Sequence, residues 1–318
     1  LKKRSKKLLF VWLRPFSVRA GLDPPSLTQS PRTRAIPIHD FVPAGHRRAC
    51  VIGWPVDHSR SPRLHNFWLG RYGIDGSYGK LAVPPGGLAK AVRGLLADGY
   101  VGANVTIPHK EAALSVCDRI TKHAAIVGAV NTFVFEGGEV HGSNTDGAGF
   151  LANVRDQGGL PAGPALILGA GGAARAIAAA LLGEGVSVTV ANRSRDRAEA
   201  LAAALPGVSV LPWEQRDAAV ADTALLVNTT SLGMQGEPAL AFDFAKAGGS
   251  LVVADVVYVP LRTRFLDTAA ERGLRTVEGL GMLLHQAVPG FAAWFGVTPV
   301  VDEDVRTLVA SGIPPYDA

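Results

Sequence analysis

Lysine, aspartate and a set of short hydroxyl and amide side chains stand in this sequence where runs of apolar residues end. The stretch Asn104-Val105-Thr106-Ile107-Pro108-His109-Lys110 reads as the end of a strand followed by a helix that Pro108 opens. In a strand Asn104 and Thr106 share one face and Val105 takes the other. Lys110 then falls in the first helical turn beside Glu111, where the helix dipole favours acid and disfavours a cation. A bound partner would offset that cost. His58-Ser59-Arg60-Ser61-Pro62 sets two hydroxyls two residues apart ahead of a helix start, an arrangement suited to a carboxylate. Ordinary N-capping by Ser61 is the alternative, and the two are compatible. Ala129-Val130-Asn131-Thr132 and Asn144-Thr145-Asp146-Gly147 add two more polar clusters. Asp146 lies at a join between two units, where it would orient a hydroxyl or pair with Lys110.

A second constellation concerns a nucleotide. Gly169-Ala170-Gly171-Gly172-Ala173-Ala174 follows a short apolar run and opens a helical one, fitting G-x-G-x-x-A. Such glycines let the backbone approach a pyrophosphate, whose charge meets the helix N-terminus. A tight turn alone would need no such context. About 20 residues on, an NAD site places an acid for the ribose 2′-hydroxyl. This chain has Asn192-Arg193-Ser194-Arg195-Asp196-Arg197 instead, with no acid at the strand end. A guanidinium there grips a 2′-phosphate through paired, charge-assisted bonds, so the cofactor expected is NADP (NADPH). Arg193 and Arg197 are the candidate phosphate ligands, with Asn192 and Ser194 as neutral donors.

The elements that must position these groups alternate between short Val/Ile/Leu runs and alanine-rich helical stretches. That alternation marks an α/β protein with parallel sheets. Strands are expected over 49–53, 77–83, 101–107, 165–168, 186–191, 208–211, 225–228 and 251–257. A hairpin is expected to turn at Gly137-Gly138. Helices are expected over 62–72, 88–97, from Pro108, 147–156, 173–182, 196–204, 279–294 and 303–310. The organisation expected is two-domain. An N-terminal α/β substrate-binding domain (46–146) is completed by C-terminal helices (279–318), and a Rossmann-like, doubly wound NADP domain (147–278) is inserted between them.

Hydrophobic residues make up 47 % of the 318, enough for two substantial cores and far from a disordered composition. The net charge of +5 resides in the first 48 residues, which carry +9 and leave −4 for the rest, so nucleic acid is not an expected partner. No apolar run reaches the roughly 18–20 residues of a membrane span. Cys50 and Cys117 are too few and too far apart for a disulfide framework, and a cytoplasmic location is expected. No His/Cys/Asp cluster has metal-ligand spacing, so no metal is expected. The basic residues 1–7 and apolar 8–13 loosely resemble a signal sequence, but the apolar part stops at Arg14. Residues 14–48 have the composition of a transit peptide or of upstream sequence read into the frame. The second is favoured here, since no initiating Met is present, and residues 1–45 are expected to be a disordered, dispensable basic extension.

The motifs taken together resemble those of the NADP-dependent shikimate dehydrogenase family. They are His58–Pro62 with His65-Asn66, Gly102–Lys110, Gly128–Thr132, Asn144–Gly147, Gly169–Ala174, Asn192-Arg193-Ser194 with Arg197, Asp255-Val256-Val257-Tyr258, and Gly279–Gln286, in family order over about residues 49–296. The resemblance implies reversible reduction of 3-dehydroshikimate to shikimate by NADPH, in aromatic amino acid and chorismate biosynthesis. It implies that Ser59 and Ser61, with Tyr258, hold the substrate carboxylate. Asn104, Thr106, Asn131, Asp146 and Gln286 would hold ring hydroxyls, and Lys110 and Asp146 would form the catalytic pair. Gly279 and Met282 would lie near the nicotinamide. The partners expected are the small-molecule substrate and, as an option the sequence leaves open, a second copy of the chain. His58, His109 and His285 are read as structural. Val259 before Pro260 departs from the family, which often has Asn there. An NAD-using quinate/shikimate dehydrogenase and a non-catalytic NADP-binding regulator on the same fold are the alternatives. The Arg193/Arg197 pair argues against the first, and the intact Lys110/Asp146 pair against the second. A folate-dependent methylene dehydrogenase has a similar architecture, but Ser59/Ser61 and Asn144–Gly147 do not suit it.

Overall fold

The computed structural model describes residues 45–315. The basic extension expected over 1–45 therefore lies outside the described residues up to position 44.

Apolar runs bounded by glycine, proline and polar turns form the first lobe. In chain order its elements are β1 (Arg47–Gly53), α1 (Ser61–Arg71), β2 (Gly76–Ala82), α2 (Leu88–Ala97), β3 (Gly102–Val105), β4 (Arg119–Ile120), α3 (Lys122–Val127), β5 (Thr132–Glu136) and β6 (Glu139–Ser143). The sheet runs β2-β1-β3-β5-β6-β4. The strands β2, β1 and β3 are parallel, and β5 and β6 join antiparallel as a hairpin. Gly137 and Gly138, both at positive φ (60° and 84°), make its two-residue turn, a conformation that disfavours residues with a Cβ.

The chain then passes through α4 (Asp146–Asp156) into the second lobe. Its elements are β7 (Ala165–Leu168), α5 (Gly172–Gly183), β8 (Val188–Ala191), α6 (Arg195–Ala204), β9 (Val208–Leu211), α7 (Arg216–Ala219), β10 (Leu225–Asn228), β11 (Val252–Asp255), α8 (Arg264–Glu271) and β12 (Arg275–Val277). This sheet is wholly parallel, in the order β12-β11-β10-β7-β8-β9. Helices cover both faces, so every residue of β7, β10 and β11 is buried. The chain returns to the first lobe as α9 (Leu280–Phe295) and α10 (Glu303–Ala310). There Leu284, Ala287, Phe291 and Trp294 pack with Leu64, Trp68 and Tyr78.

Two expectations need correction. No helix starts at Pro108. His109 N–H donates to Thr106 O in a turn, and Lys110 O accepts from Val130 N–H rather than from a helical neighbour. Only a 3-10 turn, Ala112–Val116, follows. The strand before it stops at Val105, short of Ile107. Ser61 is not an N-cap either. It is the first residue of α1, Arg60 occupies the cap position without a side-chain cap bond, and the Ser61 N–H donates to Ser59 Oγ at 3.3 Å. The elements β4, α3 and β12 are too short to announce themselves by periodicity, whereas α8 buries Phe265, Leu266 and Ala269 on one side and is a pattern the expectations do not include.

Candidate active site

A cavity of about 540 Å³ lies between the two sheets. Ligands of parallel α/β sheets bind beyond the carboxyl ends of the strands, and the lining follows that rule. Asn104 and Thr106 come from the end of β3, and Gly169–Ala173 from the end of β7. Asn192, Arg193 and Arg197 follow β8, and Val256–Val259 follow β11. The structure brings into this one cavity Ser59, Ser61, Asn104, Thr106, Lys110, Asn131, Asp146, Gly169, Ala170, Gly171, Gly172, Ala173, Asn192, Arg193, Arg197, Tyr258, Gly279, Met282 and Gln286. Ser194 is not among the lining residues. It is the exposed N-cap position of α6, and its carbonyl accepts from Asn192 Nδ2 at 2.8 Å.

At the centre, Lys110 Nζ donates to Asp146 Oδ2 at 2.6 Å. Side-chain exposures of 16 % and 5 % keep water largely away from this ion pair, so it is screened far less than a surface pair. Asn131 Nδ2 donates to the other carboxylate oxygen at 2.8 Å. Asp146 N–H donates to Asn144 Oδ1, and Thr145 Oγ donates to Gln286 O at 2.8 Å. The start of α4 is thus fixed by a polar net drawn from β5's lead-in and α9. Asn104 is held similarly: Tyr78 Oη donates to its Oδ1 at 2.6 Å. Lys110 reaches Asp146 because its stem passes over Gly172, where an added Cβ would lie 3.1 Å from Lys110 Cβ.

At one end stand Ser59, Ser61 and Tyr258. Burial raises the Tyr258 phenol, while the Arg60 backbone and the Ser59 hydroxyl pull it the other way. The loop that carries Tyr258 is anchored from below by Asp255. One carboxylate oxygen accepts from Val257 N–H and Asn228 Nδ2, and the other accepts from Thr263 Oγ. Burial pushes the Asp255 carboxyl up to about 7 against these three bonds. His58 also lines this end, its imidazole lowered by burial and then by Lys80. His109 is buried with Nε2 2.6 Å from Val83 O, and His285 pairs with Asp156 at 2.7 Å. Both ring contacts point to packing and positioning.

At the other end the residues fit a dinucleotide phosphate. No side chain caps α5, so its first turn faces the cavity with only the Gly171 backbone before it. Gly169 has φ +111°, and a Cβ there would lie 2.5 Å from Thr229 Oγ1. No acid stands at the end of β8. Arg195 is paired with Glu199 at 2.7 Å, while Arg193 and Arg197 line the cavity. Arg197 lies 4.0 Å from Glu111 across the cleft.

The cavity also holds residues that the motifs do not single out: Trp213, Thr229, Thr230, Ser231, Met234 and Val51. The strand-end rule would have found the first five, since they follow β9 and β10. Among the described residues no group of three or more His, Cys, Asp and Glu could hold a metal ion, and no helix is long and apolar enough to cross a membrane.

Residues 51–133 match the family model of the shikimate dehydrogenase substrate binding domain, and residues 154–234 that of shikimate / quinate 5-dehydrogenase. The chain is 60 % identical over 272 residues to a shikimate dehydrogenase (NADP(+)) of Acidiphilium cryptum, covering 85 % of this chain and 98 % of that one. It is 52 % identical over 275 residues to the Rhodospirillum rubrum protein of the same name, covering 83 % and 96 %. The crystal structure of shikimate 5-dehydrogenase from Thermus thermophilus, in complex with NADP(H) and shikimate, superposes with a TM-score of 0.76 at 38 % identity, covering 83 % of this chain and 98 % of that one.

Proposed function

This chain belongs to the shikimate dehydrogenase family, and from that premise we propose that it interconverts 3-dehydroshikimate and shikimate with NADPH and NADP⁺. The observation that carries the reading is the 2.6 Å Lys110–Asp146 pair, set in one cavity with two serine hydroxyls, a glycine-rich helix start and two cavity-facing arginines. NADPH, when bound, supplies the hydride. Every other task falls to the chain.

Ser59, Ser61 and Tyr258 hold the carboxylate, and their hydroxyls orient the ring. Asn104, Thr106, Asn131 and Gln286 bind the ring hydroxyls. Reduction of the C3 carbonyl builds negative charge on its oxygen. The Lys110 ammonium is the cation that meets this charge, in a site shielded from water where its effect is large. Asp146 holds Lys110 in place, Asn131 holds Asp146, and the proton for the new hydroxyl comes from this pair. Gly169–Ala173 and the first turn of α5 take the pyrophosphate. Arg193 and Arg197 take the 2′-phosphate that separates NADP from NAD, with Asn192 beside them and Gly279 and Met282 at the nicotinamide end. The first lobe with α9 and α10 is the substrate domain, and the all-parallel lobe is the NADP domain. A cytoplasmic setting suits the two free cysteines, whose thiols burial pushes up to about 12.

Absorbance at the reduced-nicotinamide band tests the proposal. Purified protein is mixed with shikimate or quinate, each with NADP⁺ or NAD⁺. Rapid reduction is expected with shikimate and NADP⁺. Comparable rates with quinate and NAD⁺ would reassign the substrate, and silence in all four mixtures would remove the catalytic reading.

A further inference from the structure

The cavity continues past the two arginines, and one aromatic side chain stands there. Among its lining residues the large aromatic rings are Tyr258, beside Ser59, and Trp213. Trp213 follows β9, the edge strand next to β8 and two strands from β7. A dinucleotide laid along these strand ends meets Gly169–Gly172 with its pyrophosphate and the loop after β8 with its 2′-phosphate. The base attached to that ribose then arrives where the loop after β9 begins. We propose that Trp213 forms the aromatic wall against which the adenine ring of NADP lies. The proposal rests on the NADP reading above and assigns a cofactor-binding residue beyond its phosphate ligands.

Three observations carry it. Trp213 is only half-buried, whereas Trp68 and Trp294 are wholly enclosed in the first lobe's core. Part of its surface packs on the buried cluster that includes Ala191, Val220 and Leu226, which leaves the rest to the cavity. Its ring is also held in place. The Arg216 guanidinium lies 4.4 Å from the ring centroid and donates to Trp213 O at 3.0 Å and Ala241 O at 3.3 Å. A ring fixed before binding gives up little freedom when a base stacks on it, and base–aromatic stacking is strong enough to be read by substitution.

Isothermal titration calorimetry of the full chain separates this role from catalysis. The ligands are 2′,5′-ADP, 5′-ADP, NADP⁺ and nicotinamide mononucleotide. The proteins are wild type, Trp213→Ala, Trp213→Phe and Arg197→Gln. Trp213→Ala is expected to weaken 2′,5′-ADP, 5′-ADP and NADP⁺ alike by about tenfold, with nicotinamide mononucleotide unchanged. Trp213→Phe should restore most of the loss. Arg197→Gln should weaken 2′,5′-ADP and spare 5′-ADP. Unchanged 2′,5′-ADP binding in Trp213→Ala overturns the proposal, as does an equal loss for the mononucleotide. A loss that Phe does not restore, with a lowered melting temperature, assigns Trp213 to folding and also overturns it. A wild type that fails to reduce NADP⁺ with shikimate, yet binds 2′,5′-ADP through Trp213, would sink the proposed reaction and leave this inference standing.

Discussion

At Lys110 the structure replaces the physical reason that the sequence offers for its position. Its type and its place after a strand mark it as chemical, but the helix expected around it is a turn whose Lys110 carbonyl serves Val130 N–H. What makes the side chain special is the 2.6 Å contact with a carboxylate that Asn131 already holds. No spacing rule joins positions 110, 131 and 146. Lys110→Ala should lower kcat by about 10²–10³-fold, the scale for losing one charge-stabilising donor, with a small change in the KM for NADPH. Near-normal kcat would take Lys110 out of the chemistry. Lys110→Arg is the informative companion, because it keeps the charge but replaces the compact ammonium with a planar fork. It should recover stability before it recovers rate.

Elements were legible where apolar periodicity is strong. Helix α2, the helix α10 and strands β7, β9 and β10 fall on the residues that the pattern predicts. Periodicity says nothing, however, of what an element's polar side chains do. On α1, His65 is fully buried and stacks on Tyr78 with ring centroids 4.0 Å apart, among Trp68, Phe291 and Trp294. Asn66 on the same helix pairs with the Tyr78 backbone in both directions. Tyr78 in turn donates to Asn104 in the cavity, so packing of α1 on β2 reaches the site through one phenol. Burial pushes the His65 imidazole down to about 3 from an ordinary 6.5. The unfolded chain then binds more protons than the folded one between those values. The His65 contribution to stability is therefore complete above pH 6.5 and is lost progressively as pH falls toward 3, while Asp255, raised to about 7, works in the opposite direction. Melting temperatures of wild type and His65→Phe across that window check this. The wild-type curve should fall more steeply on the acid side, and parallel curves would clear His65 of the effect.

At the scale of the whole molecule, two lobes could be read from the change of pattern at residue 146, but the seam itself could not. It runs through a helix, not between helices. α4 carries Asp146 into the cavity at its first turn, packs on α5 with one side and on α9 with another. Glycines make both approaches possible. A Cβ at Gly147 would lie 2.5 Å from Ala176 O, and one at Gly149 would lie 2.7 Å from Gln286 N and Cβ. In sequence these two read as helix-weakening residues, which Ala should improve by about 0.5–1 kcal/mol. Contact distance decides otherwise at Gly149, because the obstructing atoms include backbone that no rotamer change can clear. Overpacking of this kind costs about 1–3 kcal/mol and outweighs the propensity gain. Gly149→Ala should therefore lower the melting temperature. It should also lower kcat, since a shift of α4 away from α9 moves Asp146 relative to Lys110. Gly70→Ala supplies the control: it lies in α1, and its added Cβ would meet nothing within 4 Å. That variant should melt higher than wild type with unchanged kcat. If both variants gain stability, α4 and α9 are not in tight register, and the seam between the lobes does not fix the Lys110–Asp146 geometry.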